Sequence, residues 1–243
     1  MPYRCMKSFF SSLFLKRFFS KISLVLSPII YCGFLFLSAL GGVEDLSAAV
    51  PSPQVKPYQR PLIILDPGHG GDDHGAKVYF LKEKHLTLRT AILLKKKLES
   101  LGYRVMLTRS RDVFITLSRR AVLANRSQAK IFVSLHYNSC PSKEVKGVEV
   151  FYYGSAKPER LKDSQLLASH VLENLVAEVE APSRGVKKGN FHVIRETTMP
   201  AILVEAAFLT NKEERSLLRT PLYLEKIATG IATGIDRYMQ VSK

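Results

Sequence analysis

Short apolar runs alternate with helical patterns from residue 62 onward, and this alternation is the feature that most limits how the chain can fold. Apolar runs predict strands, and apolar residues spaced three or four apart predict helices. The pattern predicts strands over 62–66, 103–108, 131–135, 147–153, 191–195 and 201–205, and helices over about 84–100, 116–126, 160–179 and 221–239. Such an order is typical of an α/β domain in which helices cover a sheet.

The first 49 residues have the pattern of an export signal. A basic region extends to Lys21, an apolar run follows from Ile22 to Leu40, and small residues end the segment at Ala49. This pattern predicts an exported protein of the periplasm or cell envelope. The apolar run is also long enough to remain as a membrane anchor, so membrane contact is expected only through this segment. Residues 50–61 contain four prolines and predict an extended linker, which leaves 62–243 as one folded domain.

The chain is strongly basic, with 36 Lys and Arg against 21 Asp and Glu and a net charge of +15. Such a charge suits an anionic partner such as cell-wall polymer, a membrane surface or nucleic acid. The basic residues are dispersed, with small clusters at 95–97 and 187–188, and an exported protein rarely meets nucleic acid. We therefore expect no nucleic-acid partner, and non-catalytic binding of cell-wall polymer remains an alternative. Cys140 is the only cysteine after the targeting segment, which excludes an internal disulfide.

Four polar residues stand at or next to the ends of predicted elements. His69 follows the first strand within a Pro- and Gly-rich turn, Glu83 precedes the first long helix, and His136 and Glu205 each end a strand. Ligands of open α/β sheets bind beyond the carboxyl ends of strands, so these groups are expected to converge. Two imidazoles and a carboxylate form a usual ligand set of catalytic zinc, and a second carboxylate can accept a proton from water. Each residue also has a structural interpretation: a tight turn for His69, a solvated helix start for Glu83, a core histidine for His136 and a buried ion pair for Glu205.

The sequence resembles the zinc-dependent N-acetylmuramoyl-L-alanine amidases across nearly all of residues 62–239. The matching stretches are ILDPGHGG (64–71), LKEKHLTL (81–88), VMLTRSRD (105–112), FVSLHYNS (132–139), Arg184-Gly185-Val186 and PAILVEAAFLTN (200–211). The resemblance implies a single α/β domain with a mixed, roughly six-stranded sheet flanked by helices. It also implies one zinc ion held by His69, Glu83 and His136, with Glu205 as the catalytic carboxylate.

The resemblance implies cleavage of the amide bond between N-acetylmuramic acid and L-alanine of the peptidoglycan stem peptide. The implied substrates are peptidoglycan or muropeptides, with cell-division or cell-wall proteins as further partners. Asn138 is a weaker candidate for holding the peptide backbone of the substrate. Many relatives whose activity is controlled by partner proteins carry a long inserted helix that plugs the zinc site. The segment after Tyr153 has room for one helix only, so we expect no plug and activity without an activator. Tyr137 departs from the family pattern and is expected to reshape the groove beside the metal.

A second enzymatic activity is an alternative. Ser127-Gln128-Ala129-Lys130 fits the Ser-x-x-Lys pattern of penicillin-binding serine enzymes, in which Ser127 would be the nucleophile and Lys130 its partner. Lys187-Lys188-Gly189 loosely matches their Lys-Thr-Gly element, but Ser-Asp-Asn is absent from the sequence. The motif therefore supports a penicillin-sensitive carboxypeptidase activity only weakly.

Overall fold

The computed structural model describes residues 60–242 as a helix-covered mixed sheet. The strands are β1 (Leu62–Pro67), β2 (Lys77–Val78), β3 (Leu81–Lys82), β4 (Arg104–Leu107), β5 (Ile131–Asn138), β6 (Val148–Tyr152), β7 (Ser183–Lys188) and β8 (Ala201–Phe208). The helices are α1 (Glu83–Ser100), α2 (Leu117–Arg126), α3 (Pro158–Val179), α4 (His192–Arg195), α5 (Lys212–Leu217) and α6 (Pro221–Val241). The predicted export segment 1–49 and residues 50–59 of the predicted linker 50–61 lie outside the described residues.

Six strands form the main sheet in the order β4-β1-β5-β8-β6-β7, which confirms the predicted fold class. Strands β4, β1, β5 and β8 run parallel to one another, β6 runs antiparallel to β8, and β7 is parallel to β6. The carboxyl ends of β1, β5 and β8 therefore meet the amino ends of β6 and β7 at one edge. We call this edge the site edge; it runs across the ends of the strands and is distinct from the edge strands β4 and β7.

Both faces of the sheet are buried, which explains why its central strands are continuous apolar runs. Ile63 and Leu65 face a large core formed with α1, α3 and α6, whereas Ile64 faces a smaller core with α2 and α4. The alternation follows from the two-residue period of a strand. None of the helices within residues 60–242 is long and apolar enough to span a membrane.

The predicted strand at 191–195 is wrong, because His192–Arg195 form the short helix α4. The strand beside β6 is β7, whose sequence SRGVKK has no apolar run and whose residues are exposed or half-buried. An edge strand pairs on one side only, so its sequence needs little apolar character. The sequence also did not predict α5, which Asn211 caps by accepting hydrogen bonds from the Glu213 and Glu214 amides, or the two-residue strands β2 and β3.

Candidate metal centre

The loop after β1 brings His69 to the site edge in a constrained backbone conformation. His69, Gly70 and Gly71 all have positive φ, of 62°, 132° and 60°. A Cβ on Gly68 would lie 2.3 Å from Cε1 of His136, so only glycine permits this approach. The loop and the end of β5 are thereby held in contact.

Glu83 lies between the two histidines at the start of α1. Its Oε2 is 3.1 Å from His69 Nε2, and its Oε1 is 2.9 Å from His136 Nδ1. The backbone amides of Ala76 and Tyr137 donate to the same two oxygens, at 2.8 and 3.1 Å. One ligand atom from each of His69, Glu83 and His136 lies within 4.8 Å of the others. The structure thus brings together the three predicted ligands.

Burial is outweighed by hydrogen bonds and neighbouring charges in setting the pKa values of Glu83 and His69. Burial would raise the pKa of the Glu83 carboxyl, but hydrogen bonds from His136 and His69 outweigh it and hold that pKa well below its ordinary value. Burial would lower the pKa of His69, yet the carboxylates of Glu83 and Asp73 raise it overall. Glu83 is therefore an anion, as a metal ligand must be.

The donor chemistry fits a divalent metal such as zinc. Two imidazoles and one carboxylate are a three-ligand set that leaves a coordination position open. His69 Nδ1 lies 2.8 Å from Asp73 Oδ2, an outer carboxylate that fixes the ring and leaves Nε2 facing the cluster. The sequence analysis did not identify Asp73, although its spacing of four residues from His69 was a usable signal.

Glu205 stands in a row with His136 across neighbouring strands. The strand register pairs His136 with Glu205, and Glu205 with Glu149 of β6, so the three side chains share one face. Glu205 Oε2 is buried and has no hydrogen-bond partner among the described residues. Burial, followed by repulsion from Glu83 and Glu149, raises the pKa of Glu205 well above its ordinary value. An unpartnered buried carboxyl beside the ligand cluster is suited to exchange a proton with a water there.

Two buried arginines, Arg109 and Arg120, donate hydrogen bonds to the backbone of the His69 loop. The sequence analysis identified neither of them. Arg120 pairs with Asp66 at 2.8 Å and donates to the carbonyls of Pro67 and His69, at 2.7 and 2.6 Å. Arg109 donates to the carbonyls of Pro67 and Gly68, at 2.9 and 2.8 Å. These contacts fix carbonyls that the glycine-rich turn would leave without partners.

Of the remaining predicted site residues, Asn138 lies at the site edge, whereas Ser127 and Lys130 lie away from it. Asn138 donates to Glu149 Oε1 at 3.2 Å and therefore belongs to the site edge, where its role in substrate binding stays a prediction. Ser127 and Lys130 precede β5, at the opposite end of that strand from His136. Ser127 Oγ donates to the Ala124 carbonyl at 2.6 Å as α2 ends, and the serine activity stays a prediction.

A groove opens beside the two histidines on the side of α2 and α4. It has a volume of about 340 Å³, and its apolar lining consists of Phe114, Ile115, Leu117 and Val193. Tyr137 does not line it, since this side chain is buried in the core on the other side of the sheet, with its hydroxyl 2.5 Å from Thr90 Oγ1. Side chains alternate along a strand, so a residue next to His136 points to the opposite face.

A mixed six-stranded sheet with this His-Glu-His cluster at its edge defines an α/β domain with a candidate metal centre. The N-acetylmuramoyl-L-alanine amidase family profile matches residues 63–237 of the chain. The chain therefore belongs to this family of amide hydrolases.

Individual relatives agree with the family match. The chain is 34% identical over 224 residues to the amidase AmiC of Neisseria meningitidis, covering 76% of this chain and 54% of that protein. It is 33% identical over 202 residues to the germination-specific N-acetylmuramoyl-L-alanine amidase of Bacillus subtilis, covering 75% and 83%. The crystal structure of an N-acetylmuramoyl-L-alanine amidase from Clostridium difficile 630 superposes with a TM-score of 0.72 at 35% identity, covering 76% of this chain and 99% of that one. The chain thus spans about half the length of the Neisseria relative and most of the other two.

Proposed function

We propose that the chain is a zinc-dependent hydrolase of the amide bond between N-acetylmuramic acid and L-alanine in peptidoglycan. The observation that carries the proposal is the placement of Glu205 beside a cluster of His69, Glu83 and His136, in a chain of the amidase family. In this proposal, the three clustered residues hold one zinc ion and Glu205 is the catalytic carboxylate.

The proposed reaction needs a group that moves a proton twice. A bound zinc ion would supply a polarised carbonyl and a more acidic water. Glu205 accepts the proton of the attacking water and delivers it to the amine of L-alanine as the amide bond breaks. Its raised pKa favours the first step, because burial makes this carboxylate a stronger proton acceptor than an ordinary glutamate. Asp73 keeps the His69 ring oriented throughout.

We also propose that residues 1–49 direct export to the periplasm or cell envelope and that residues 50–61 form a linker. Residues 62–243 are then the catalytic domain that cleaves peptidoglycan of the cell wall. The charge of +15 supports an anionic polymer as substrate.

An autoinhibitory helix is absent in this proposal. Between β6 and β7 the structure has one helix, α3, and its apolar face packs against α6 in the large core. Gly230 and Gly234 of α6 let the two backbones approach closely, since a Cβ on either would lie 2.7 or 2.5 Å from an α3 Cα atom. A helix fixed in this way is not available to cover His69.

The test is mass spectrometry of products from purified peptidoglycan incubated with the protein. We expect stem peptides that begin at L-alanine, their loss after chelation and their return with zinc. The Glu205→Gln variant should retain bound zinc and lose about 10²- to 10⁴-fold in rate, as expected for removal of a general base. Glu213→Gln, which changes an exposed glutamate, is the matched control and should cleave normally.

Each other outcome contradicts part of the proposal. Normal cleavage by Glu205→Gln would remove this residue from the mechanism. Cleavage that resists chelation would remove the metal, and release of a terminal D-alanine alone would favour the Ser127 motif. Binding to the wall without any product would favour a non-catalytic role.

A further inference from the structure

The row of side chains at the site edge continues beyond Glu205 onto two further strands. Glu149 of β6 is opposite Glu205, and it is 5% exposed. Arg184 Nε donates to Glu149 Oε1 at 3.1 Å, and the Lys187 ammonium pairs with Glu149 Oε2. Two cations from β7 therefore share one buried carboxylate next to the proposed catalytic group.

Arg184 uses only a small part of its hydrogen-bonding capacity. Its Nε contacts Glu149, but neither terminal nitrogen has a hydrogen-bond partner within residues 60–242. An arginine that serves only to neutralise a carboxylate commonly binds through two parallel hydrogen bonds. The two terminal nitrogens form the outer fork of the guanidinium. This fork remains available to bind a second planar anion.

The position of this fork is fixed although the side chain is 35% exposed. The guanidinium carbon lies 5.2 Å from the ring centre of Phe208, which ends β8 three residues after Glu205. Asn138 and Arg184 both donate to Glu149 Oε1, so the carboxylate cannot turn away without losing two bonds. An arginine held in this way loses little conformational entropy when it binds a ligand.

The group formed by Glu149, Arg184 and Lys187 is net positive when Glu205, opposite Glu149, is counted separately. Arg184 and Lys187 carry two positive charges against the single negative charge of Glu149, and the Lys187 side chain is also 38% exposed. A buried carboxylate needs one cation for neutrality. The second cation therefore creates an excess that a ligand anion can neutralise.

We propose that Arg184, assisted by Lys187, binds a carboxylate of the stem peptide on the leaving-group side of the scissile amide. The inference rests on the proposed amidase function. The metal ligands come from the loop after β1, the start of α1 and the end of β5, whereas Arg184 lies beyond Glu205, the residue that protonates the leaving peptide. Neighbouring strands are about 4.8 Å apart, so a group one or two residues past L-alanine can reach the guanidinium. The ligand class is a peptide α-carboxylate, and a carboxamide should bind more weakly.

The experiment compares two N-acetylmuramoyl peptides that differ only at the second stem residue, which carries a free α-carboxylate or its carboxamide. We expect the wild-type protein to show a kcat/KM at least about tenfold higher for the carboxylate, as for a hydrogen bond to a charged group. Arg184→Gln should lower only the carboxylate rate and abolish the preference. Arg184→Lys, which keeps the charge without the fork, should restore part of it.

A matched control is Arg195→Gln. Arg195 also pairs with a glutamate through Nε, at 2.7 Å from Glu196, and is 33% exposed, but it lies on α4 before β8 begins. This variant should keep the preference. Equal losses on both substrates in Arg184→Gln would show that Arg184 only supports the fold, and a wild-type protein without preference would overturn the proposal.

A binding measurement separates this inference from the amidase proposal. Isothermal titration of the free stem peptide, in carboxylate and carboxamide forms, should show tighter binding of the carboxylate to wild type and equal binding to Arg184→Gln. If the wild-type protein cleaves neither substrate, the amidase proposal fails while the titration still decides the carboxylate site. Equal binding of both forms to wild type overturns the inference whatever the activity.

Discussion

At the scale of single residues, the site depends on a buried ion pair that makes no contact with the clustered ligands' side chains. Asp66 and Arg120 are 1% and 2% exposed and lie 2.8 Å apart. Asp66 also accepts hydrogen bonds from Thr108 and Ser134, at 2.5 and 2.9 Å. This pair holds the loop that carries His69, so its loss should affect both stability and the site.

We expect Asp66→Ala to lower the free energy of unfolding by about 3–5 kcal/mol, because it leaves Arg120 charged, buried and without its carboxylate. Urea unfolding followed by circular dichroism measures the change. Glu213→Ala is the control, since it removes an ion pair of similar length, 2.7 Å to Lys146, whose side chains are exposed to solvent. Its unfolding midpoint should be unchanged, and equal effects of the two variants would contradict the argument.

At the scale of elements, the contact between α3 and α6 decides how the helices cover the sheet. Gly230 and Gly234 lie one turn apart on the face of α6 that meets α3. The strongest sequence signals also lie in α6, since Thr220 caps it by accepting from the Tyr223 amide and Pro221 is its first residue. Such local signals predict where a helix begins, but they do not identify its partner.

Gly234→Ala should destabilise the protein, although alanine is a better helix former than glycine by about 1 kcal/mol. The new methyl would lie 2.5 Å from the Val171 Cα atom, and forcing the backbones apart costs about 1–3 kcal/mol. Thermal unfolding measures the net effect. Thr233→Ala, at an exposed position of the same helix, should be neutral or slightly stabilising. A stabilised Gly234→Ala variant would show that the two helices are not in close contact.

At the scale of the whole molecule, the site edge gathers groups from five adjacent strands. His69, His136, Glu205, Glu149 and Arg184 come from or follow β1, β5, β8, β6 and β7, in the spatial order of the sheet. A groove lies beside His69 and His136, and the apolar face of α3 packs in the large core. We propose that a site assembled in this way needs no activator.

We therefore expect the purified protein to release stem peptides from sacculi at nearly the same rate with and without candidate activator proteins. Product release followed by mass spectrometry under both conditions tests this expectation. A rate that rises steeply on addition of an activator would mean that some part of the chain covers the site.

The sequence alone determined the fold class and the identity of the clustered residues, because both depend on local signals. Apolar runs mark central strands, and polar residues where those strands end must meet when the strands are parallel. The alternation pattern and the resemblance together therefore indicate His69, Glu83, His136 and Glu205.

Only the tertiary structure decided what surrounds those residues. Strand β7 has no apolar run because it is an edge strand, so the sequence placed the fifth strand wrongly at 191–195. The pairing of Glu149 with Arg184 joins residues 35 positions apart and depends on β7 lying parallel to β6 in one register. Contacts of this kind have no period along the chain, because they exist only when strand order and register have been set by packing of the whole sheet.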